Sequence, residues 1–251
     1  MPFIINLFGY TEVVICLAAL CFLVVKRQWR DYWALGSFLA IRVVSNASLT
    51  LLAHFFNRLD RRIAYQAYFY VYWTAFAVES VLALFIVYGI FRLTMEPWKG
   101  LLKFGTILFC VVAGISVVLA MGSAFAPYMT GIRYLVAAIS QLQRNQSLVT
   151  LCMLLFVFFA MRPAGISSGS KIFGVGLGLG VLAINDLVQS RWLAFNAGQH
   201  IAYSVINGIV ICSILVLWTA YLALPEPERR EIDASSPLRR WNRICLNWYG
   251  M

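Results

Sequence analysis

Residues 101–125 read LLKFGTILFCVVAGISVVLAMGSAF, and Lys103 is the single charged side chain among them. A helix of this length rises by about 37 Å, which is enough to cross a hydrocarbon core roughly 30 Å thick. Comparable apolar stretches recur along the chain. The sequence therefore predicts an all-α membrane protein, a bundle of seven transmembrane helices at 3–25, 32–56, 63–91, 101–125, 132–161, 172–195 and 200–223.

The composition supports the same class of protein. The chain is 62% hydrophobic and 12% charged, which is too apolar for an ordinary soluble domain. Backbone groups in lipid must be satisfied internally, and continuous runs of this length favour helices over the short alternating strands of a barrel. We expect a transmembrane domain over 1–224 and a basic cytoplasmic tail over 225–251.

The distribution of lysine and arginine predicts the orientation. Thirteen of these residues follow helices 1, 3 and 5 or lie in the tail, whereas five lie at the opposite ends of the helices. Short basic loops resist translocation, so we expect the N-terminus outside and the C-terminus in the cytoplasm. The net charge of +10 then interacts with the lipid bilayer, and the sequence has no soluble basic domain that would bind nucleic acid.

The tail has an amphipathic pattern within LRRWNRICLNWYGM, residues 238–251. On a helix, Leu238, Trp241, Cys245 and Trp248 share one face, while the arginines share the other. This pattern predicts a short helix lying in the membrane interface, and the alternative is a disordered basic tail. We expect the tail to anchor the protein and to offer a surface for a protein partner.

The sixth span opens with KIFGVGLGLGV, residues 171–181. Gly174 with Gly178 and Gly176 with Gly180 form two overlapping pairs that let a neighbouring helix approach closely. The alternative is a flexible hinge. We expect this glycine face to pack against a helix, either within the chain or on a protein partner.

Two charged residues are expected near the middle of the membrane. Counted from the basic end of each helix, Arg42 lies at about 16 Å and Glu79 at about 18 Å. Neither should remain charged alone in hydrocarbon, so we expect them to pair. The pair is either an architectural salt bridge or the floor of a binding site.

A second polar layer is expected nearer the outer boundary. Glu12 and Asp186 fall at about 21 Å, Asn46 at about 22 Å, Asn207 at about 25 Å and Arg144 at about 27 Å. Arg144 is expected at the rim, where it pairs with Asp186 or with an incoming anion. Together these residues predict an outward-facing polar pocket, which is where ligands bind in helical bundles. The candidate pocket residues are Glu12, Arg42, Asn46, Tyr68, Tyr72, Glu79, Gln143, Arg144, Asp186, Tyr203 and Asn207.

Motifs of catalysis and cofactor binding are missing from the sequence. There is no HExxH and no GxSxG-like stretch, and no lysine lies deep in a span to form a retinal Schiff base. His54 and His200 both fall near outer helix ends, where a haem or quinone site is conceivable, although an interfacial histidine is usually just solvated. We expect no enzyme, no metal site and no cofactor.

Residues 68–92, YFYVYWTAFAVESVLALFIVYGIFR, contain aromatics, a Glu-Ser pair and a VYxxFR exit in that order. The chain resembles an uncharacterised family of bacterial seven-helix membrane proteins in three regions. These are the stretch just quoted, the glycine-rich sixth helix and the proline-bearing exit of the seventh helix. The resemblance implies a seven-helix fold in a bacterial inner membrane. It implies no activity, ligand or site residue.

Three functions are compatible with these observations. The first is a sensor or receptor-like protein whose outer pocket binds a small molecule. The second is a transporter or channel subunit with Arg42 and Glu79 as a midplane gate, although the apolar inner halves of the helices offer no evident exit. The third is a structural or assembly component of a larger membrane complex.

Overall fold

The computed structural model describes residues 2–55, 61–123, 132–195, 200–229 and 237–248, although the side chains at several of the ends of these segments lie outside the description. These residues form eight helices and no strand. The prediction of an all-helical chain with seven long apolar helices is confirmed. The helices are α1 (Pro2–Val25), α2 (Trp33–Phe55), α3 (Arg61–Met95), α4 (Lys99–Ser123), α5 (Ile132–Met161), α6 (Lys171–Phe195), α7 (His200–Ala223) and α8 (Pro237–Trp248).

The largest difference from the predicted boundaries concerns α3. The sequence predicts 63–91, whereas the helix continues to Met95 and has 35 residues. Arg92 and Thr94 are compatible with a helix, and the first strong stop signal is Pro97, which disfavours helical backbone at the residue before it. The helix therefore ends one residue before Glu96.

Six of the helices form a closed ring. Contacts run from α1 to α2, α2 to α3, α3 to α5, α5 to α6, α6 to α7, and from α7 back to α1. Helix α4 lies outside this ring and packs on α3, α5 and α8. The ring encloses the space in which the polar side chains of the spans meet.

The apolar core fills one half of the ring. We call this half the basic end, because α1, α3, α5 and α7 terminate there and twelve of the described lysines and arginines follow these helix ends. Leu23, Leu35, Trp218 and Leu222 are each at most 1% exposed. Phe38 packs edge-on against Trp218 with ring centroids 5.9 Å apart, on the side of this core that faces away from the basic end. Polar residues of the spans lie beyond it, toward the opposite end.

The glycines of α6 pack on two different helices. A Cβ atom at Gly174 would overlap the Tyr221 ring, and one at Gly178 would overlap the Trp218 indole, both on α7. On the other side, Gly176 and Gly180 face Leu154 of α5, at 3.5 and 3.6 Å from an added Cβ. The packing role of these residues follows the sequence prediction. Within the chain, residues of α5 and α7 lie against these four glycines.

Side chains of the basic end hold the segment that follows α7. Lys26 donates a hydrogen bond through Nζ to the carbonyl of Ala223, where it satisfies one of the last carbonyls of that helix. Beyond it, Lys171 Nζ lies 3.6 Å from Glu226 Oε2. The end of α7 is thereby tied to the end of α1 and the start of α6.

Candidate functional site

Arg42 is the centre of a three-helix charge cluster. It projects from α2, donates a hydrogen bond through Nε to Glu12 Oε1 of α1, and places Nη1 3.7 Å from Glu79 Oε2 of α3. Its guanidinium carbon also lies 5.6 Å from the centre of the Phe38 ring. All three charged side chains are less than one-fifth exposed. Arg42 therefore connects three helices of the ring.

This arrangement corrects one part of the sequence prediction. The Arg42–Glu79 pair is present, but Glu12 was expected in a separate layer nearer the outer boundary. That expectation for Glu12 rests only on its height along the axis of its helix. The long Arg42 side chain extends along the bundle and reaches Glu12, so both carboxylates belong to one cluster.

A cavity of about 240 Å³ lies directly against this cluster. Side chains from six helices line it, all of them members of the ring, and α4 contributes none to the described lining. Phe38, Ala83 and Leu179 line the part of the cavity that is nearest the basic end, next to the apolar core. The polar residues of the lining are Glu12, Arg42, Ser45, Asn46, Tyr72, Glu79, Ser80, Gln143, Gln146, Asp186, Gln189 and Asn207.

Asp186 lies across the cavity on α6 and is bound by α5. Ser147 Oγ donates to Asp186 Oδ2 over 3.4 Å, and the side chain of Gln143 hydrogen-bonds the same carboxylate. Neutral donors therefore satisfy Asp186. The predicted pair between Arg144 and Asp186 is wrong, because no ion pair joins them and the Arg144 side chain is exposed. Adjacent helical residues point about 100° apart, so Gln143 faces inward while Arg144 points away.

An amide pair joins α6 and α7 at the cavity. Asn185 Nδ2 donates to Asn207 Oδ1 over 2.7 Å. Asn46 lines the cavity from α2, one helical turn farther from the basic end than Arg42. Amide side chains of α2, α6 and α7 thus line the cavity, namely Asn46, Gln189 and Asn207.

Aromatic rings form the wall on α3. Tyr72 lines the cavity and stacks on Phe76, with ring centroids 6.0 Å apart. Tyr68 stacks on Tyr72 at 6.5 Å from one turn away, but it does not line the cavity. The side chains of Tyr203, His54 and His200 lie outside the described residues. No statement about a pocket role for Tyr203, or about a haem or quinone site at the histidines, follows from the structure.

Several polar residues of the site were not identified from the sequence. They lie at helical spacing from residues that were: Gln146 and Ser147 follow Gln143 by three and four residues, and Gln189 follows Asp186 by three. Gln146 and Ser147 are buried, and Gln146 Nε2 donates to Thr150 Oγ1 over 3.2 Å. A polar stripe with this spacing in an apolar helix was the available signal.

The charges of the described lining do not balance. Glu12, Glu79 and Asp186 are acidic, and Arg42 is the one basic residue among the lining residues. Removing charges from water costs several kcal/mol per ion unless an opposite charge is present. The described lining therefore has two more acidic side chains than basic ones.

Comparisons with protein-family models, with curated proteins and with solved structures give no match. The function is therefore inferred from the geometry and charge of the site.

Proposed function

We propose that this protein is a non-enzymatic, multi-pass membrane protein that binds a small, positively charged molecule in the cavity at Arg42, as a sensor or receptor-like binding protein. The observation that carries the proposal is the enclosure of three carboxylates and a single arginine by a ring of six helices. The basic end faces the cytoplasm of a bacterial inner membrane, in keeping with the excess of lysine and arginine there. The cavity then opens outward.

Charge supports a cationic ligand over an anionic one. A ligand ammonium group offsets the excess of carboxylates, whereas an anion would add to it. Tyr72 and Phe76 supply ring surface in the same lining, and such rings attract cations by their quadrupoles. The volume of about 240 Å³ suits a molecule smaller than a drug-sized ligand, for which pockets of about 300–1,000 Å³ are usual.

Packing beneath the cavity supports binding over transport. The Phe38–Trp218 contact and the buried leucines of the basic end close the way to the cytoplasmic side. A transporter gated by Arg42 and Glu79 would need a second arrangement in which Phe38 leaves Trp218. The assembly alternative does not require a cavity with an unbalanced charge.

The test is thermal unfolding of the detergent-purified protein with choline, ethanolamine or tetramethylammonium. The neutral control is 3,3-dimethylbutanol, which has the shape of choline without its charge. A cation present at ten times its Kd stabilises the folded state by about 1.4 kcal/mol, which raises the Tm by about 4 °C. We expect such a shift with at least one cation and none with the neutral alcohol.

Two variants distinguish the cavity from other acidic sites. Asp186→Asn removes one lining carboxylate and should abolish the shift, because the remaining carboxylates are already paired with Arg42. Asp31→Asn removes an exposed carboxylate outside the cavity and should leave the shift unchanged. Equal shifts in both variants would show that the cations bind elsewhere. The absence of a shift in the unaltered protein with all three cations would refute the proposal.

A further inference from the structure

A second cavity lies on the outside of the ring, between α4, α5 and α8. We call it the α4–α5–α8 groove, and its volume is about 920 Å³. It extends along α4 from Leu101 to Val112 and along α5 from Ala160 to Leu148. At 1.5 Å per residue these lengths are about 17 and 18 Å, close to the depth of one leaflet of the hydrocarbon core.

The groove differs from the polar cavity in the chemistry of its lining. No charged side chain and no side-chain amide belongs to the described lining, which consists of aliphatic, aromatic and sulfur-containing residues with glycine and proline. Phe104, Leu108 and Phe156 are among the exposed apolar side chains there. A lining of this kind binds hydrocarbon chains.

Helix α8 closes the groove at the basic end. Asn242 Oδ1 accepts hydrogen bonds from the backbone N–H groups of Gly100 at 2.8 Å and Leu101 at 3.3 Å, in the first turn of α4. This contact fixes α8 across the start of α4. Trp241 and Trp248 of this helix line the groove. Tryptophan is favoured at the membrane–water interface, which is where α8 lies in the proposed orientation.

Exposed arginines directly precede two residues that line the groove at the basic end. Arg162 directly precedes Pro163 of the lining, and Arg240 lies on the flank of the apolar face of α8; both are exposed. A guanidinium group binds phosphate through several parallel N–H donors. Further exposed cations of the same end are Arg92, Lys99, Arg239 and Arg243.

We propose that the α4–α5–α8 groove binds one anionic phospholipid, with its acyl chains along α4 and α5 and its phosphate held by Arg162 and Arg240. The apolar lining of the groove matches the acyl chains of such a lipid, and the exposed arginines match its phosphate. A second copy of this chain fits less well, because a parallel copy would bring the arginines of both α8 helices together. The inference is independent of the ligand proposed for the polar cavity.

The experiment is native mass spectrometry of the full chain in detergent, titrated with palmitoyl-oleoyl phosphatidylglycerol or with phosphatidylcholine of the same chains. We expect one tightly bound phosphatidylglycerol per chain and weaker binding of phosphatidylcholine. Each arginine near a lipid surface contributes about fivefold to affinity, so Arg162→Gln with Arg240→Gln should weaken phosphatidylglycerol binding about 30-fold. Arg239→Gln with Arg243→Gln changes the charge equally on the opposite face of α8 and should have little effect.

A matched pair of cysteine variants tests the groove itself. Cys152→Trp fills the groove from α5, and Cys110→Trp adds the same bulk at an exposed position of α4 outside it. We expect the first variant to lose the bound lipid and the second to retain it. Equal retention in both variants, or equal binding of the two lipids by the unaltered chain, would overturn the proposal. A dimer that Cys152→Trp dissociates without loss of lipid would assign the groove to a second copy instead.

Discussion

Arg42 shows how one residue can organise several helices. Its side chain contacts carboxylates of α1 and α3 from its own position on α2 and lies over the ring of Phe38. Two carboxylates this close would repel each other without the guanidinium between them. The residue therefore has a structural role as well as a place in the cavity wall.

Replacing Arg42 with methionine is expected to destabilise the fold. The substitution keeps a similar length but leaves Glu12 and Glu79 without their partner, and breaking a buried ion pair in this way costs about 3–5 kcal/mol. At about 3 °C per kcal/mol, the Tm in detergent should fall by roughly 10 °C. Arg144→Met serves as the control, because Arg144 is exposed on α5, and it should change the Tm by less than about 2 °C. Equal Tm values for the two variants would contradict this role.

The difference between Arg42 and Arg144 marks a limit of sequence reading at this scale. Height along the span placed both arginines, and it correctly paired Arg42 with Glu79. Height does not give the rotation of a helix about its axis, which turns Gln143 inward and Arg144 outward. It also does not give the reach of a long side chain, and so Glu12 was assigned to the wrong layer.

At the scale of elements, α6 depends on close approach by α7. The aromatic rings of Tyr221 and Trp218 occupy the space that a side chain at Gly174 or Gly178 would need. Trp218 Nε1 also donates to the Val175 carbonyl over 3.2 Å, which fixes the indole in this position. The sequence motif predicted close packing, but it could not assign the two glycine pairs to two different neighbours.

Alanine substitutions separate the two faces of α6. Gly178→Ala forces a Cβ atom into the fixed Trp218 ring and is expected to cost about 1–3 kcal/mol. Gly180→Ala meets Leu154 at an ordinary contact distance of 3.6 Å and gains up to about 1 kcal/mol in helix propensity. Unfolding of both variants in detergent measures the difference. A destabilisation by Gly180→Ala as large as that by Gly178→Ala would show that the α5 face is equally tight.

The docking of α8 rests on a different kind of contact. The amphipathic pattern of the tail predicted a helix, and α8 forms at Pro237–Trp248 with its apolar residues toward α4 and α5. The hydrogen bonds from Gly100 and Leu101 to Asn242 were not predictable, because they join residues far apart in sequence.

Asn242→Ala is expected to loosen α8 without unfolding the bundle. Loss of a side chain that satisfies helix N-terminal amides costs about 1 kcal/mol. Backbone amides over 237–248 should therefore exchange hydrogen for deuterium about fivefold faster. Asn247→Ala changes an exposed asparagine of the same helix and should leave the exchange rates as they are. Unchanged exchange in Asn242→Ala would mean that apolar contacts alone hold α8.

At the scale of the whole molecule, the ring of six helices with α4 outside is the main result that hydropathy could not supply. All seven apolar stretches look alike in length and composition, so their positions along the chain were predictable but their neighbours in the bundle were not. The contact between α3 and α5 displaces the intervening α4 to the periphery. Peripheral α4 then forms the α4–α5–α8 groove, and the ring forms the polar cavity.

The proposed orientation can be tested on one helix. Helix α3 rises by about 52 Å, so both of its ends extend past a hydrocarbon core of roughly 30 Å. Gln66 and Glu96 are exposed near its two ends. With the native cysteines replaced by serine, Gln66→Cys should react in intact bacterial cells with a maleimide that cannot cross membranes. Glu96→Cys should react only after permeabilisation, and the opposite pattern would reverse the orientation.

Closure of the ring through α1 and α7 also constrains how the protein is made. Synthesis proceeds from the N-terminus, so Glu12 of α1 leaves the ribosome before its partner Arg42 does. The wall that α7 contributes, including Asn207, arrives last. Until then the polar residues of the other five ring helices face the lipid or the insertion machinery. A chain that ends before residue 200 would lack the wall from α7, so the polar side chains of the cavity would be open on that side.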